Sequence, residues 1–350
     1  MWNEGRARPS VSQRYFAIST HEWHKTHFPG IYILGECLCD RTGRMLKSLL
    51  IRLSESAELR HFAEESSFGK RLSDRFAAGT DAGEALNATR RVNATGANVT
   101  IDNLGENTAT AEAALASAET YHGLLDAIKG HGLRANISLK LTQMGLDLDT
   151  NLCQELVGPL VRHAALVDNL VRIDMEGSRF TQRTLDLVQT LHGIPGNAGH
   201  VGAVIQASLR RSEADVEQLL NQRIRIRLCK GAYKEIAKVA FPDKSRVDES
   251  FFELSRKLLD SGVFHGLATH DDQLIGKIQK HVRKEGIDRK SFEFQMLYGV
   301  RPKLQEQLVR EGWNLRIYIP FGSAWYPYFM RRLAERPANV VFAARSIFRS

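Results

Sequence analysis

A chain of 350 residues, 43% hydrophobic and 25% charged, can bury one large core, and this composition argues against both a disordered and a membrane-spanning chain. The formal net charge of +8 suggests an anionic partner, yet the basic residues are scattered among acids and not gathered in blocks, which argues against nucleic acid. Cys37, Cys39, Cys153 and Cys229 form no zinc-ligand spacing with histidine, so no metal site is expected and a reduced, cytoplasmic compartment fits best.

Residues 1–44 mix His, Trp, Cys, Gly and Arg without helical or strand period and carry no secretory signal; they read as an extension ahead of Met45. From Met45, MLKSLLIRLSESAELRHF is an amphipathic helix, and N-terminal helices are expected over 45–93. Eight short apolar segments then recur within 94–345: VTIDNLG, ANISLKLT, VRIDME, VGAVIQAS, RIRLCKG, GLATHD, FEFQML and LRIYIPF. Each is followed by a helical pattern, clearest in TAEAALASAETYHGLLDAIKGHG and in QLIGKIQKHVRKEG, which glycine closes. This alternation predicts an α/β fold, a (β/α)8 TIM barrel, with an open doubly wound sheet as the rival.

Barrel active sites are built at the C-terminal ends of the strands. Here those ends carry Asp102 and Glu106, Lys140, Asp174 and Glu176, Gln206, Arg227 and Lys230, Thr269 and His270, Gln295 and Tyr318. Any one of them has a structural reading: Lys140 as half of an internal ion pair, His270 as a helix-start residue. Their convergence on one mouth is harder to dismiss, because a buried charge costs several kcal/mol unless paired. The stretch RIRLCKGAYKE alternates basic and apolar residues as a half-buried strand does, then ends in the cations Arg227 and Lys230, which suit a sizeable anionic ligand. After the eighth strand, GSAWYPYFMRRLAERPAN puts Tyr328, Arg331, Arg332 and Glu335 on one helical face. Such a stripe can be a solvated face, but adjacent arginines delivered to a barrel mouth can clamp a carboxylate through forked, charge-assisted hydrogen bonds.

Taken together, SLKLTQMGLDLD, RIDMEGS, VIQAS, RLCKGAY, ATHD, FEFQMLYGV, RIYIPFG and YPYFMRRLAERPAN, collinear between Met45 and Asn339, resemble the monofunctional FAD-dependent proline dehydrogenases. The resemblance implies a distorted barrel with a last helix over the mouth, and FAD across the strand ends. It implies hydride transfer from C5 of L-proline to flavin N5, giving Δ1-pyrroline-5-carboxylate, with electrons passed to a quinone. By position, Arg227 is expected near N5; Ile173, Gln206, Lys230, Gly231, Ala232, Thr269 and His270 are expected to contact the cofactor, and Asp174 matches the acidic active-site residue. Lys140, Arg331 and Arg332 match the substrate carboxylate clamp, Leu297, Tyr318 and Tyr328 the walls around the ring, and Glu106 an acid that pairs with the first clamp arginine when the site is empty. Ser208, in VIQAS, and Lys234 depart mildly from the family pattern. A separate dehydrogenase for pyrroline-5-carboxylate, or its semialdehyde, is an expected partner, and the location implied is cytoplasmic with a peripheral encounter at the inner face of the membrane. The alternatives are a Schiff-base lyase or aldolase using Lys140 or Lys230, and a non-catalytic binding barrel.

Overall fold

The structure, a computed structural model, describes residues 76–335, with side chains through Met330. The expected extension, most of the N-terminal helices and the side chains of Arg331 and Arg332 lie outside the described residues.

Helix α1 (Ala82–Ala94) precedes the barrel; Asp81 caps it by accepting from the Glu84 amide. The strands are β1 (Asn98–Asn103), β2 (Ala135–Leu139), β3 (Val171–Ile173), β4 (Val201–Gln206), β5 (Arg225–Cys229), β6 (His265–Ala268), β7 (Phe292–Leu297) and β8 (Leu315–Phe321). Between them run α2 (Ala111–Gly130), α3 (Thr150–Leu166), α4 (Thr181–Gly193), α5 (Ser212–Asn221), α6 (Lys244–Asp260), α7 (Asp272–Lys284) and α8 (Pro302–Arg310), and α9 (Trp325–Glu335) follows the last strand. All eight strands pair in parallel and in sequence order, and β8 closes on β1 with Ile319 beside Ile101. The (β/α)8 barrel is therefore the observed fold, and the open sheet is not.

The strands are buried on both faces, with different contents on each. Val99, Ile101, Ile137, Leu139, Ile226 and Leu228 are 0% exposed and belong to the main apolar core, which the helix residues Tyr121, Leu124, Val157 and Phe251 share. The alternate positions point into the bore, since successive strand side chains take opposite faces. Thr100, Ser138, Arg172, Arg227, Glu293 and Gln295 occupy it, each no more than 5% exposed. Glycines leave room for them: a Cβ on Gly202 would lie 2.6 Å from Arg172 Nη1, and one on Gly266 would lie 2.2 Å from Gln295 Nε2. The alternation in RIRLC thus divides bore from helix layer, not water from core as a half-buried strand would.

His265, which opens β6, is 1% exposed. Its Nδ1 accepts from the Ile226 amide at 3.0 Å, so the proton sits on Nε2, which faces Ser261 Oγ at 3.0 Å. Burial, helped by the nearby Arg172 charge, lowers its pKa to about 3. A group whose folded pKa lies below its unfolded value adds stability above the unfolded value, near 6.5, and loses it as pH falls towards the folded one. Wild type is expected to lose up to about 4–5 kcal/mol through this ring between pH 6.5 and 3, at 1.36 kcal/mol per pH unit. Urea midpoints of wild type and His265→Gln should converge as pH falls through that window; a constant difference would mean that the ring does not titrate on unfolding.

Candidate active site

Arg227 is the central residue of β5, and its guanidinium reaches across the bore to four other strands or strand ends. Nε donates to Gln295 Oε1 at 2.5 Å, Nη1 to Asp174 Oδ1 at 2.7 Å and Ser138 Oγ at 3.1 Å, and Nη2 to Thr100 Oγ1 at 3.3 Å. The Tyr318 ring lies against it, 5.1 Å from ring centroid to guanidinium carbon. Asp174, immediately after β3, accepts from Arg227, from Ser138 Oγ at 2.7 Å and, through Oδ2, from Tyr318 Oη at 2.8 Å. Burial and the carboxylates of Asp102 and Asp174 push the Tyr318 phenol well above its ordinary range, so it stays a donor.

Lys140 follows β2, with its ammonium 3.3 Å from Asp102 Oδ2. Burial alone would favour the neutral amine, but Asp102, Asp174 and Glu106 together outweigh it and hold the lysine pKa above its ordinary value. Asp102 is buried beside Tyr121, whose hydroxyl lies 3.3 Å from Oδ1, and burial pushes this carboxyl above its ordinary range. A permanently charged amine suits a carboxylate ligand; a Schiff-base nucleophile needs the neutral form at working pH. Lys230 is likewise committed to carboxylates, Asp248 at 2.5 Å and Asp271 at 2.9 Å.

Beyond Lys230 the chain turns at Gly231 with φ 108°, a left-handed backbone region that glycine tolerates. A Cβ there would come within 2.2 Å of Ser208 Oγ and 3.1 Å of Gln206 Oε1. Gly231 and Ala232 are exposed, and Gln206 is held from below by its Nε2 donating to the Glu176 carbonyl at 2.9 Å. Glu176 itself is a buried structural carboxylate that accepts from the Thr142 amide and hydroxyl. Thr269 Oγ1 accepts from the Asp271 amide at 3.1 Å. His270 Nε2 accepts from the Leu297 amide at 2.8 Å, which puts its proton on Nδ1 and joins β6 to β7 at the mouth. Ile173 closes β3 with 0% exposure, and Tyr328 in α9 is buried.

Asp174, Lys140, Lys230, Gly231, Gln206, Thr269, His270 and Leu297 are therefore at or just past the C-terminal ends of the strands, and Arg227 and Tyr318, each midway along its strand, join them through Asp174. Sequence reasoning did not single out Asp248, Asp271, Ser138, Thr100 and Glu235 as parts of the site. Glu235 accepts from the Ser178 amide and hydroxyl, both at 2.7 Å, and pins the segment after Gly231 to the loop after β3. Asp271 had one local signal, a helix-capping position before DQLIGK; its side chain accepts from the Gln273 and Leu274 amides.

The family model described as proline dehydrogenase matches residues 85–345. The chain is 39% identical over 302 residues to proline dehydrogenase 2 of Bacillus subtilis, covering 86% of this chain and 98% of that one. It is 33% identical over 309 residues to the proline dehydrogenase of Deinococcus radiodurans, covering 87% and 99% respectively. Among solved structures, proline utilization A of Bdellovibrio bacteriovorus inactivated by N-propargylglycine superposes with a TM-score of 0.72 at 23% identity, over 76% of this chain and 32% of that one, a likeness of fold. Full-length matches at this identity, laid over a closed barrel whose polar strand ends meet at one mouth, place the chain in the proline dehydrogenase family.

Proposed function

We propose that the chain oxidises L-proline to Δ1-pyrroline-5-carboxylate as the first step of proline catabolism, with FAD as its cofactor. The observation that carries this reading is Arg227, a guanidinium 5% exposed and fixed by four side chains at the strand ends. FAD would supply the hydride acceptor at N5 for the hydrogen leaving C5 of proline. A preorganised cation at the mouth stabilises the negative charge that this transfer creates, without reorganising during the step.

The residues present fit a flavin. Gly231 and Ala232 leave an exposed rim free of bulk beside Lys230, with Gln206 and Ser208 closely packed beneath. In this reading Arg227, Lys230, Gly231, Ala232, Gln206, Thr269, His270 and the Ile173 backbone hold the cofactor. Lys140, with Arg331 and Arg332, takes the proline carboxylate; Leu297, Tyr318 and Tyr328 wall the ring; and Glu106, close enough to bias Lys140 electrostatically, is the gate acid. Asp174 receives hydrogen bonds from Arg227, Ser138 and Tyr318, so we assign it to holding the cation and leave the amine proton to solvent. Its ion-pair partner is Arg227, at 2.7 Å.

Electrons pass in this proposal to a quinone during a peripheral membrane encounter; no helix among the described residues is long and apolar enough to cross a membrane. The product is a cyclic imine in equilibrium with an aldehyde, which a separate dehydrogenase would consume. The test is one anaerobic spectrum: the purified protein should show oxidised-flavin bands that L-proline bleaches. A colourless protein, or bands indifferent to proline, would reject the proposal.

Tyr318→Ser tests the pocket wall. It removes both the ring over Arg227 and the hydroxyl donated to Asp174, so efficiency with proline should fall. Relative efficiency with trans-4-hydroxyproline should rise, because steric contact and an unpaired hydroxyl are each worth on the order of 1–3 kcal/mol. A ratio of the two specificity constants that moves by less than about twofold would take Tyr318 out of the substrate wall.

A further inference from the structure

The side chains that fix Arg227 approach it from two directions. Asp174, Ser138 and Thr100 take the terminal nitrogens Nη1 and Nη2 from the end of β3, from β2 and from β1. Gln295 alone, among the described hydrogen bonds, takes Nε, and it does so from β7, which lies two strands from β5 in the other direction around the barrel.

Gln295 is 4% exposed and bound at both ends of its amide. Oε1 accepts from Arg227 Nε at 2.5 Å, and Nε2 donates to Glu293 Oε1 at 2.6 Å. A guanidinium only donates and a carboxylate accepts, so these partners fix which way the amide points. Glu293, 2% exposed, receives Arg316 Nε at the same oxygen, 2.6 Å away, and Arg316 Nη1 donates to the Val99 carbonyl at 2.6 Å. A continuous chain thus crosses the bore from Arg227 through Gln295, Glu293 and Arg316 to the backbone of β1. Gly266 admits it: this residue pairs in register with Arg227 on one side and Glu293 on the other, and a Cβ there would meet Gln295 Nε2 at 2.2 Å and Cδ at 2.7 Å.

Few side chains can serve as this link, which must accept from a cation at one end, donate to a carboxylate at the other and carry no charge. Glutamate would set a second carboxylate against Glu293 and offset the charge of Arg227. Leucine would leave the Nε–H without its acceptor and the guanidinium free to turn towards Asp174. We propose that Gln295 is the positioning residue of Arg227: anchored through Glu293 and Arg316, it sets the pose of the guanidinium and leaves its charge available to the anion that hydride transfer creates. The assignment rests on Arg227 serving that transfer, as proposed above.

The test is anaerobic stopped-flow reduction of the holoenzyme by proline, comparing wild type, Gln295→Leu, Arg227→Met and the double variant. Gln295→Leu should slow flavin reduction at least about tenfold, because a reacting group displaced by about 1 Å can lose on the order of 10² in rate. Its affinity for tetrahydrofuran-2-carboxylate, which has oxygen in place of the proline amine, should change by less than about twofold, since the substrate carboxylate is bound elsewhere. In the Arg227→Met background the same change should cost less than about twofold, because a residue that acts through Arg227 then has nothing to position. Gln295→Glu should lower the midpoint potential of the bound flavin, a readout independent of turnover. Where the leucine variant does not fold, Gln295→Met, closer in volume, carries the same expectations. A wild-type rate in Gln295→Leu beside a slow Arg227→Met would overturn the positioning role alone, and an equal loss in both backgrounds would make Gln295 a structural residue and overturn it too. An Arg227→Met enzyme that reduces at the wild-type rate would overturn the reading of Arg227 itself, and this assignment with it.

Discussion

Arg227→Met is expected to slow proline-driven flavin reduction by about 10²–10³-fold, the usual cost of removing one preorganised charge from a developing anion. The same change leaves Asp174 and Gln295 without their shared donor inside the barrel. Side-chain exposure of the Arg227–Asp174 pair is 6% and 14%, so solvent screens the loss little, and stability should fall by about 3–5 kcal/mol. Arg227→Lys separates the two effects, because it keeps a charge but cannot fork to Gln295, Asp174, Ser138 and Thr100 together. Stopped-flow reduction rates alongside urea midpoints give both quantities. A Met variant that reduces at the wild-type rate would remove Arg227 from the chemistry.

Replacing Arg331 or Arg332 by Met is expected to raise the Michaelis constant for proline at least about tenfold while flavin content survives. A hydrogen bond between a charged donor and a carboxylate is worth roughly 1.5–3 kcal/mol, and each 1.4 kcal/mol is a decade. The expectation rests on the RRLAERPAN motif together with the charged state of Lys140, which supplies one cation at the mouth already. Binding measured by flavin absorbance changes with a non-oxidisable proline analogue would distinguish affinity from turnover. Unchanged affinity in both single variants would put the substrate carboxylate elsewhere.

The strands were legible because each is a short apolar run closed by a polar end, and the candidate catalytic groups were legible because those ends break the pattern. RLCKGAY shows its Arg227 and Lys230 on inspection. What holds them was not legible. Ser138 and Thr100 lie 89 and 127 residues from Arg227 in the chain, and no local rule pairs a strand hydroxyl with a guanidinium three or four strands away. Asp248 lies within α6, where an acid reads as surface, yet it meets Lys230. Nothing local marks Arg172 as buried; its burial depends on Gly202 standing beside it on β4, a pairing that exists only once the barrel has closed.

The arginine-filled bore also bears on how the chain finds its pairing. In a strand that is oily on both sides, sliding by one residue exchanges one aliphatic for another and costs little. Sliding β5 by one residue would turn Arg225 and Arg227 into the helix layer and bring Ile226 and Leu228 into the polar bore. Two guanidiniums would then be stranded among Leu and Phe side chains, at roughly 3–5 kcal/mol each. The polar interior therefore acts as a ruler during folding: it penalises every off-by-one alignment of β5 against β4 and β6, and so helps fix the stagger at which the barrel closes.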